Sequence, residues 1–361
     1  MTRRASAART ILGWILLGIS SVLMGLLAQY MGMPAGWLVG PMLVAVALAL
    51  VWPASPTVPR WGRVASMSVI GSMLAATFSP SVFPLIAANW LPVLLVVVST
   101  LLLSVAVGFL LSWVAPLDHK TAALGTLPGA ASGMLAMSGS LGADPRLVAV
   151  MQYTRVIVVV LSAALIARFG LVPGTASHPI LAQGLQTSTS QGIVLVHNPW
   201  LIYALTALVA MLGAWAGTRL RLPAGALMGP LVFGVALEVL GVMRLAWPPG
   251  VPQIAFLVLG LWVGLLFDRA SVKSVGRLLP FVLASATGLT VACAGLGWAL
   301  TVITSIDGLT AYLATTPGGI DSVAVIALDS GADAPLVLAV QMLRLFVVIL
   351  AGSLLGRWWS Q

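Results

Sequence analysis

Two glutamine–arginine pairs, Gln152–Arg155 and Gln341–Arg344, are the residues of this sequence best suited to chemistry. A spacing of three sets each pair on one face of a helix, and each pair lies inside an apolar stretch. An arginine about ten residues into a span, at roughly 1.5 Å rise per residue, sits near the middle of a bilayer. Placing it there costs at least about 2.5–3.5 kcal/mol. It must face protein or water and find a partner. A planar guanidinium grips a carboxylate through two parallel hydrogen bonds, so one reading is a binding site for a small anion. The other is structural: an internal salt bridge, or a strut that caps backbone carbonyls.

Ahead of each pair the chain is cut. The cuts read Thr126-Leu127-Pro128-Gly129-Ala130-Ala131-Ser132 and Thr315-Thr316-Pro317-Gly318-Gly319-Ile320-Asp321. Proline ends a first helical arm, and glycine lets the chain reverse and lets a ligand approach the backbone. Carbonyls ending the first arm suit a cation. The N–H groups opening the second arm at Ser132 or Asp321 suit an anion. A plain kink, with Ser132 and Asp321 as N-caps, is the competing reading. Pro128, Gly129, Ser132, Gln152, Arg155, Pro317, Gly318, Gly319, Gln341 and Arg344 are therefore the candidate solute-binding residues. Asp321 stands where the first cut has Ser132, so Arg344 has an acid within its own copy and Arg155 has none there. That makes Arg155 the candidate solute-facing cation and Asp321 a candidate coupling site for an ion. Asp144, Asp333 and Asp329 complete the ion-coupling candidates, although Asp144-Pro145 and Asp333-Ala334-Pro335 also carry the signature of helix capping.

The cuts and pairs recur because the chain is a duplication. A shift of 189 residues carries Pro34, Gly36, Gly40 and Pro41 onto Pro223, Gly225, Gly229 and Pro230. The same shift carries Gly71 onto Gly260, Pro128 onto Pro317, Asp144 onto Asp333 and Arg155 onto Arg344. Residues 1–180 form a first membrane repeat and 181–361 a second. Solute sites of duplicated carriers lie where the copies meet. The spacing Gly36-x-x-x-Gly40, repeated at Gly225-x-x-x-Gly229, fits close helix packing between repeats or a homodimer contact.

Composition fixes the environment. Of 361 residues 60% are hydrophobic and 7% charged, against about 25% charged in soluble domains. The chain is an all-α polytopic membrane protein whose main partner is the lipid bilayer. The net charge of +9 does not point to nucleic acid, because the basic residues lie in short loops, as the positive-inside rule expects. One cysteine, Cys293, and three scattered histidines offer no metal-ligand spacing. No nucleophile–base motif or cofactor fingerprint appears, so neither an enzyme nor a bound cofactor is expected.

Apolar stretches run roughly over 11–31, 36–52, 61–78, 89–114 and 145–168, then 199–218, 223–241, 251–268, 278–304 and 334–356. The cut segments 121–141 and 310–330 either cross the membrane or turn back. Turning back gives five spans per copy and inverts the second copy. Arg60, Arg63, Lys120, Arg146, Arg219, Arg221, Arg269, Lys273, Arg277 and Arg357 then all lie inside, and only Arg168 and Arg244 outside. The charge bias favours two inverted repeats of about five spanning helices, each with a broken or re-entrant helical hairpin. Both termini are then cytoplasmic, in a bacterial inner membrane.

The segments Pro128-Gly129-Ala130-Ala131-Ser132…Gly142-Ala143-Asp144-Pro145-Arg146…Gln152…Arg155 and Thr316-Pro317-Gly318-Gly319-Ile320-Asp321…Gly331-Ala332-Asp333…Gln341…Arg344 resemble the bacterial AbrB-duplication family. That family is also called the ammonia monooxygenase or AmoA-regulator membrane family, and the resemblance covers almost the whole chain. The family name implies a regulator, but the sequence shows no DNA-binding module and no copper ligands. The layout is also similar to inverted-repeat elevator carriers with re-entrant hairpins, such as citrate and glutamate symporters. The expected function is secondary transport of a small anionic organic solute, coupled to H⁺ or Na⁺, with the hairpin-bearing bundle moving against a scaffold. The alternative is a membrane-embedded regulator or sensor that binds without transporting.

Overall fold

The computed structural model describes residues 2–51, 57–76, 90–128, 134, 138, 142–169, 198–220, 222, 224–266 and 276–359. These residues form thirteen helices and no strand. Each of the ten apolar stretches forms one helix. In the first copy these are α1 (Thr2–Tyr30), α2 (Gly36–Val51), α3 (Arg60–Ala76), α4 (Trp90–Val114) and α6 (Pro145–Phe169). In the second they are α7 (Pro199–Arg219), α8 (Gly225–Val239), α9 (Val251–Leu265), α10 (Leu279–Ile303) and α13 (Ala334–Trp359). The cut segments give the short helices α5 (His119–Thr126), α11 (Gly308–Thr315) and α12 (Ile320–Ser330).

Among the described residues five helices are long and apolar enough to cross a membrane: α4, α6, α7, α10 and Gly13–Tyr30 of α1. The helices α2, α8 and α9 are apolar but only 16, 15 and 15 residues long, under the ~20 of a full perpendicular crossing. On α4 a stripe including Val93, Val97, Thr100, Ser104, Gly108 and Leu111 is buried, while Leu91, Leu95, Leu102, Phe109 and Leu110 are exposed. Such a face is stable only in hydrocarbon, which makes this a polytopic membrane protein.

The chain divides into two compact units, and these are not the two repeats. One unit takes Met1–Phe78 and Leu181–Ala270, the other Ser79–Ile180 and Ser271–Gln361. The halves 1–180 and 181–361 are copies in sequence, but each compact body draws one part from each copy.

The first unit consists of α1, α2 and α3 with α7, α8 and α9. It is held by glycines that let backbones touch. A Cβ on Gly40 would lie 2.7 Å from the Met24 carbonyl oxygen of α1. At the equivalent position, a Cβ on Gly229 would collide with the Gly213 carbonyl of α7. The Gly-x-x-x-Gly pairs thus pack against the preceding helix of their own copy rather than between copies. Contact between copies falls instead to Gly71 and Gly260, whose Cβ would strike Leu227 of α8 and Leu38 of α2. The Arg63 guanidinium lies 5.0 Å from the Trp262 ring centroid, an attraction across copies within this unit.

The second unit holds α4, α5, α6, α10, α11, α12 and α13. The short arm α5 packs against α4 and α6, and α11 packs against α10 and α13. The copies interlock through α4 with α10 and α13, and through α6 with α10 and α12. All four residues of the glutamine–arginine pairs lie in this unit.

Candidate functional site: two breaks capped by arginine

A helix leaves its last four carbonyls without intrahelical partners. Proline has no N–H to offer them. The first arm α5 stops in this way at Pro128. The Leu127 N–H still reaches the Ala123 carbonyl, but Leu124, Thr126 and Leu127 present carbonyls to the interior. The Gln152–Arg155 face of α6 fills them. Gln152 Nε2 donates to Leu124 O at 2.7 Å and to Leu127 O at 3.1 Å. Arg155 Nη1 donates to Thr126 O and Leu127 O, both at 3.0 Å. Arg155 Nη2 donates to Gln152 Oε1 at 2.6 Å, which locks the pair.

The second copy repeats the arrangement. Gln341 Nε2 donates to Leu313 O at 2.9 Å and to Thr316 O at 3.3 Å. Arg344 Nη1 donates to Thr316 O at 2.7 Å, and Nη2 to Gly318 O at 3.3 Å and to Gln341 Oε1. Arg155 and Arg344 are each 3% exposed, and Gln152 and Gln341 0% and 1%. A guanidinium at the carbonyl end of a helix also meets the negative end of its dipole. Of the roles open to these arginines, the strut on backbone carbonyls is therefore occupied in both copies.

Four buried polar atoms in or beside this network have no hydrogen-bond partner: Arg155 Nε, Arg344 Nε, Thr154 Oγ1 and Thr316 Oγ1. The two guanidinium groups lie within electrostatic reach of one another and of Cys293 of α10. Cys293 is fully buried and its carbonyl accepts from Thr315 Oγ1 at 3.0 Å. The breaks also press on the opposite copy. A Cβ on Gly318 would lie 2.8 Å from Val159 Cγ1, one turn past Arg155 on α6. Val348, one turn past Arg344 on α13, packs with Leu124 and Leu127 of the first arm. Ser162 Oγ on α6 and Tyr312 Oη on α11 are 2.9 Å apart. This last tie has no twin, because Ala123 and Ala351 occupy the equivalent positions.

The two ends of each cut segment are joined by a hydrogen bond. The Asp333 N–H, beyond α12, donates to Thr310 Oγ1 in the first turn of α11 at 2.8 Å. The Asp144 N–H donates to Thr121 Oγ1 in the first turn of α5 at 3.0 Å. Both arms also start on an aspartate cap. Asp118 Oδ2 accepts from the Lys120 and Thr121 N–H groups, and Asp307 Oδ1 from the Thr310 N–H at 2.9 Å.

The structure thus gathers Pro128, Gln152, Arg155, Pro317, Gly318, Gly319, Gln341 and Arg344 in one unit, with Pro128, Pro317 and Gly318 buried. Gly129, Ser132 and the Asp321 side chain lie outside the described residues. Asp144 and Asp333 cap α6 and α13: Asp144 Oδ1 accepts from the Arg146 N–H at 2.9 Å, and Asp333 Oδ1 from the Leu336 N–H at 3.0 Å. Asp329 is half-buried in the last turn of α12. Sequence reasoning missed Asp118, Asp307, Thr121 and Thr310. It also missed Gly108 and Gly297, whose absent side chains admit Thr126 and Thr315 against α4 and α10. All six coincide in pairs under the 189-residue shift, and that was the signal to follow.

Comparison with known proteins adds family membership. A family model described as "Transition state regulatory protein AbrB" matches residues 37–360. The chain is 35% identical over 350 residues to the protein named "Putative regulator AbrB" of Escherichia coli (strain K12), covering 97% of both chains. It is 26% identical over 344 residues to "Uncharacterized protein YhjN" of Bacillus subtilis (strain 168), covering 90% of this chain and 87% of that protein. A match spanning nearly the whole length, with paired motifs in register, places the chain in the AbrB family.

Proposed function

We propose that the chain is a secondary transporter of a small anionic organic solute, coupled to H⁺ or Na⁺, in a bacterial inner membrane. The observation that carries this reading is the pair of buried guanidinium groups. Among the described residues neither meets a carboxylate, and each keeps one Nε–H without an acceptor. Carbonyl dipoles stabilise each arginine but leave its full positive charge in place. Two such charges in a dry interior favour an anionic guest. Arg155, whose break carries Ser132 rather than an acid, is the stronger candidate for contact with it.

The hairpin closure at Thr121–Asp144 and Thr310–Asp333 supports segments that dip into the bilayer and return. An arm of 8 residues is about 12 Å long at 1.5 Å per residue, too short to cross alone. Together with the distribution of Lys and Arg, this supports five crossings per copy, inverted copies, and cytoplasmic termini.

The experiment is flux in proteoliposomes: a panel of small mono- and dicarboxylates, driven by an imposed H⁺ or Na⁺ gradient. The reading predicts gradient-driven uptake of at least one acid, reduced at least about tenfold in Arg155→Ala, as expected when a contact worth ~1.4 kcal/mol or more is lost. The name of the Escherichia coli relative favours a second reading, a membrane-embedded regulator that senses a solute without carrying it. Ligand binding with no flux of any panel member supports that reading instead.

A further inference from the structure

We infer that Arg155 and Arg344 are resident cations that occupy the carbonyl sites of the two breaks, so that solute binding at these breaks needs no sodium. The inference rests on the carrier reading above and narrows its coupling.

A helix broken by proline at membrane depth exposes carbonyl oxygens with no water to satisfy them. A desolvated alkali cation is one solution, since backbone carbonyls replace its hydration shell. Here, among the described residues, side chains already engage these carbonyls. In the first break Leu124, Thr126 and Leu127 take four bonds from Gln152 and Arg155. In the second, Leu313, Thr316 and Gly318 take four from Gln341 and Arg344. The glutamine bridges carbonyls and also accepts from its arginine, so the charge is tethered on two sides. A guanidinium does not lose its proton in proteins and cannot leave on a covalent stem. The positive charge that a coupling metal ion would bring and remove is therefore permanent. Of the remaining unpartnered groups, Arg155 Nε, Arg344 Nε and the hydroxyls of Thr154 and Thr316, the two guanidinium N–H groups complement an anion and bring no lone pair to a metal cation.

The test uses the purified full chain in detergent. Its melting temperature is measured in sodium chloride and in choline chloride at equal ionic strength, alongside equilibrium binding of radiolabelled sodium. The inference predicts melting temperatures equal within about 1 °C and no saturable sodium binding, since a ligand of the native state at high occupancy raises the midpoint by several degrees. Saturable sodium binding, or a midpoint at least about 3 °C higher in sodium, overturns it. A second arm uses Arg344→Ala, which bares the Gly318 carbonyl and takes from the Thr316 carbonyl one of its two donors. Methylguanidinium at roughly 10 mM is predicted to raise the midpoint of this variant by about 3 °C or more and leave the wild type unchanged. Equal responses of variant and wild type overturn the resident-cation role. The sodium measurement needs no variant and stands if Arg344→Ala does not fold. The carboxylate panel run in the same buffers keeps the two claims apart. No effect of any anion, with no sodium effect, defeats the carrier reading alone; an anion effect that requires sodium defeats this inference alone.

Discussion

The backbone N–H of Asp333 donates to the Thr310 hydroxyl at 2.8 Å, joining the end of a broken segment to its beginning. The bond closes twenty-odd residues into a hairpin whose open end lies at α11's first turn and whose tip holds Pro317 and Gly318. Asp144 and Thr121 make the same closure in the first copy, at 3.0 Å.

The clasp predicts the behaviour of its threonine. Thr310→Val keeps the shape but leaves the Asp333 N–H without an acceptor, a loss of about 1–3 kcal/mol when the group is buried. Thr310→Ser retains the hydroxyl and is expected to lose less than half as much. Thermal unfolding of the two variants, with Thr121→Val and Thr121→Ser beside them, makes the comparison. Equal midpoints for valine and serine would deny the clasp.

The glutamines are predicted to act with their arginines as units. Gln341→Leu strips the Leu313 and Thr316 carbonyls of one donor each and takes an acceptor from Arg344. A double-mutant cycle of Gln341→Leu with Arg344→Lys should show a coupling of roughly 0.5–3 kcal/mol, the range for residues sharing one network. Additive losses would mean that the two side chains cap independently.

Glycine substitutions should separate by location. Gly229→Ala drives a methyl into the Gly213 carbonyl of the neighbouring helix, and overpacking of this kind costs about 1–3 kcal/mol or more. Gly288 and Gly295 on α10 have open space around them. There alanine is expected to be neutral or to stabilise by ~0.5–1 kcal/mol through helix propensity. Expression and melting temperature of the three single variants provide the check.

The Tyr312–Ser162 tie exists on one side only. Tyr312→Phe is predicted to cost about 0.5–1.5 kcal/mol, the net worth of one hydrogen bond. Introducing tyrosine at Ala123 should not create a twin, since Ala351 offers no hydroxyl. Amide exchange of α11 against α5 would show whether the tie makes the second hairpin the more protected.

Much of this was legible beforehand because it follows from backbone chemistry. Proline and glycine mark the breaks, apolar length marks the helices, and a spacing of three puts Gln152 beside Arg155. The helix ends fell within a few residues of expectation for α4, α6 and α10. What the arginines touch was not legible. Arg155 meets Leu127 and Thr126 across 28 and 29 positions of chain, and no local pattern separates a carbonyl partner from a carboxylate. The compact units escaped for the same reason. Sequence similarity groups residues by copy, whereas packing grouped α4 with α10 and α2 with α9. The spacing of Gly36 and Gly40 is equally compatible with packing between repeats and with a homodimer contact, but the helix that fits their groove is α1, the neighbour already nearest along the chain.

The most direct measurement asks from which face each hairpin enters. Pro116 and Ser305 are exposed positions just ahead of α5 and α11, and the native Cys293 is too buried to compete for a reagent. Single cysteines at these two positions are treated in intact cells and in inverted vesicles with a thiol reagent that does not cross membranes. Labelling of Ser305→Cys from outside and Pro116→Cys from inside is the predicted result, with the two arginine-capped breaks approaching from opposite faces. Labelling of both from the same side contradicts the inverted arrangement and the carrier built on it.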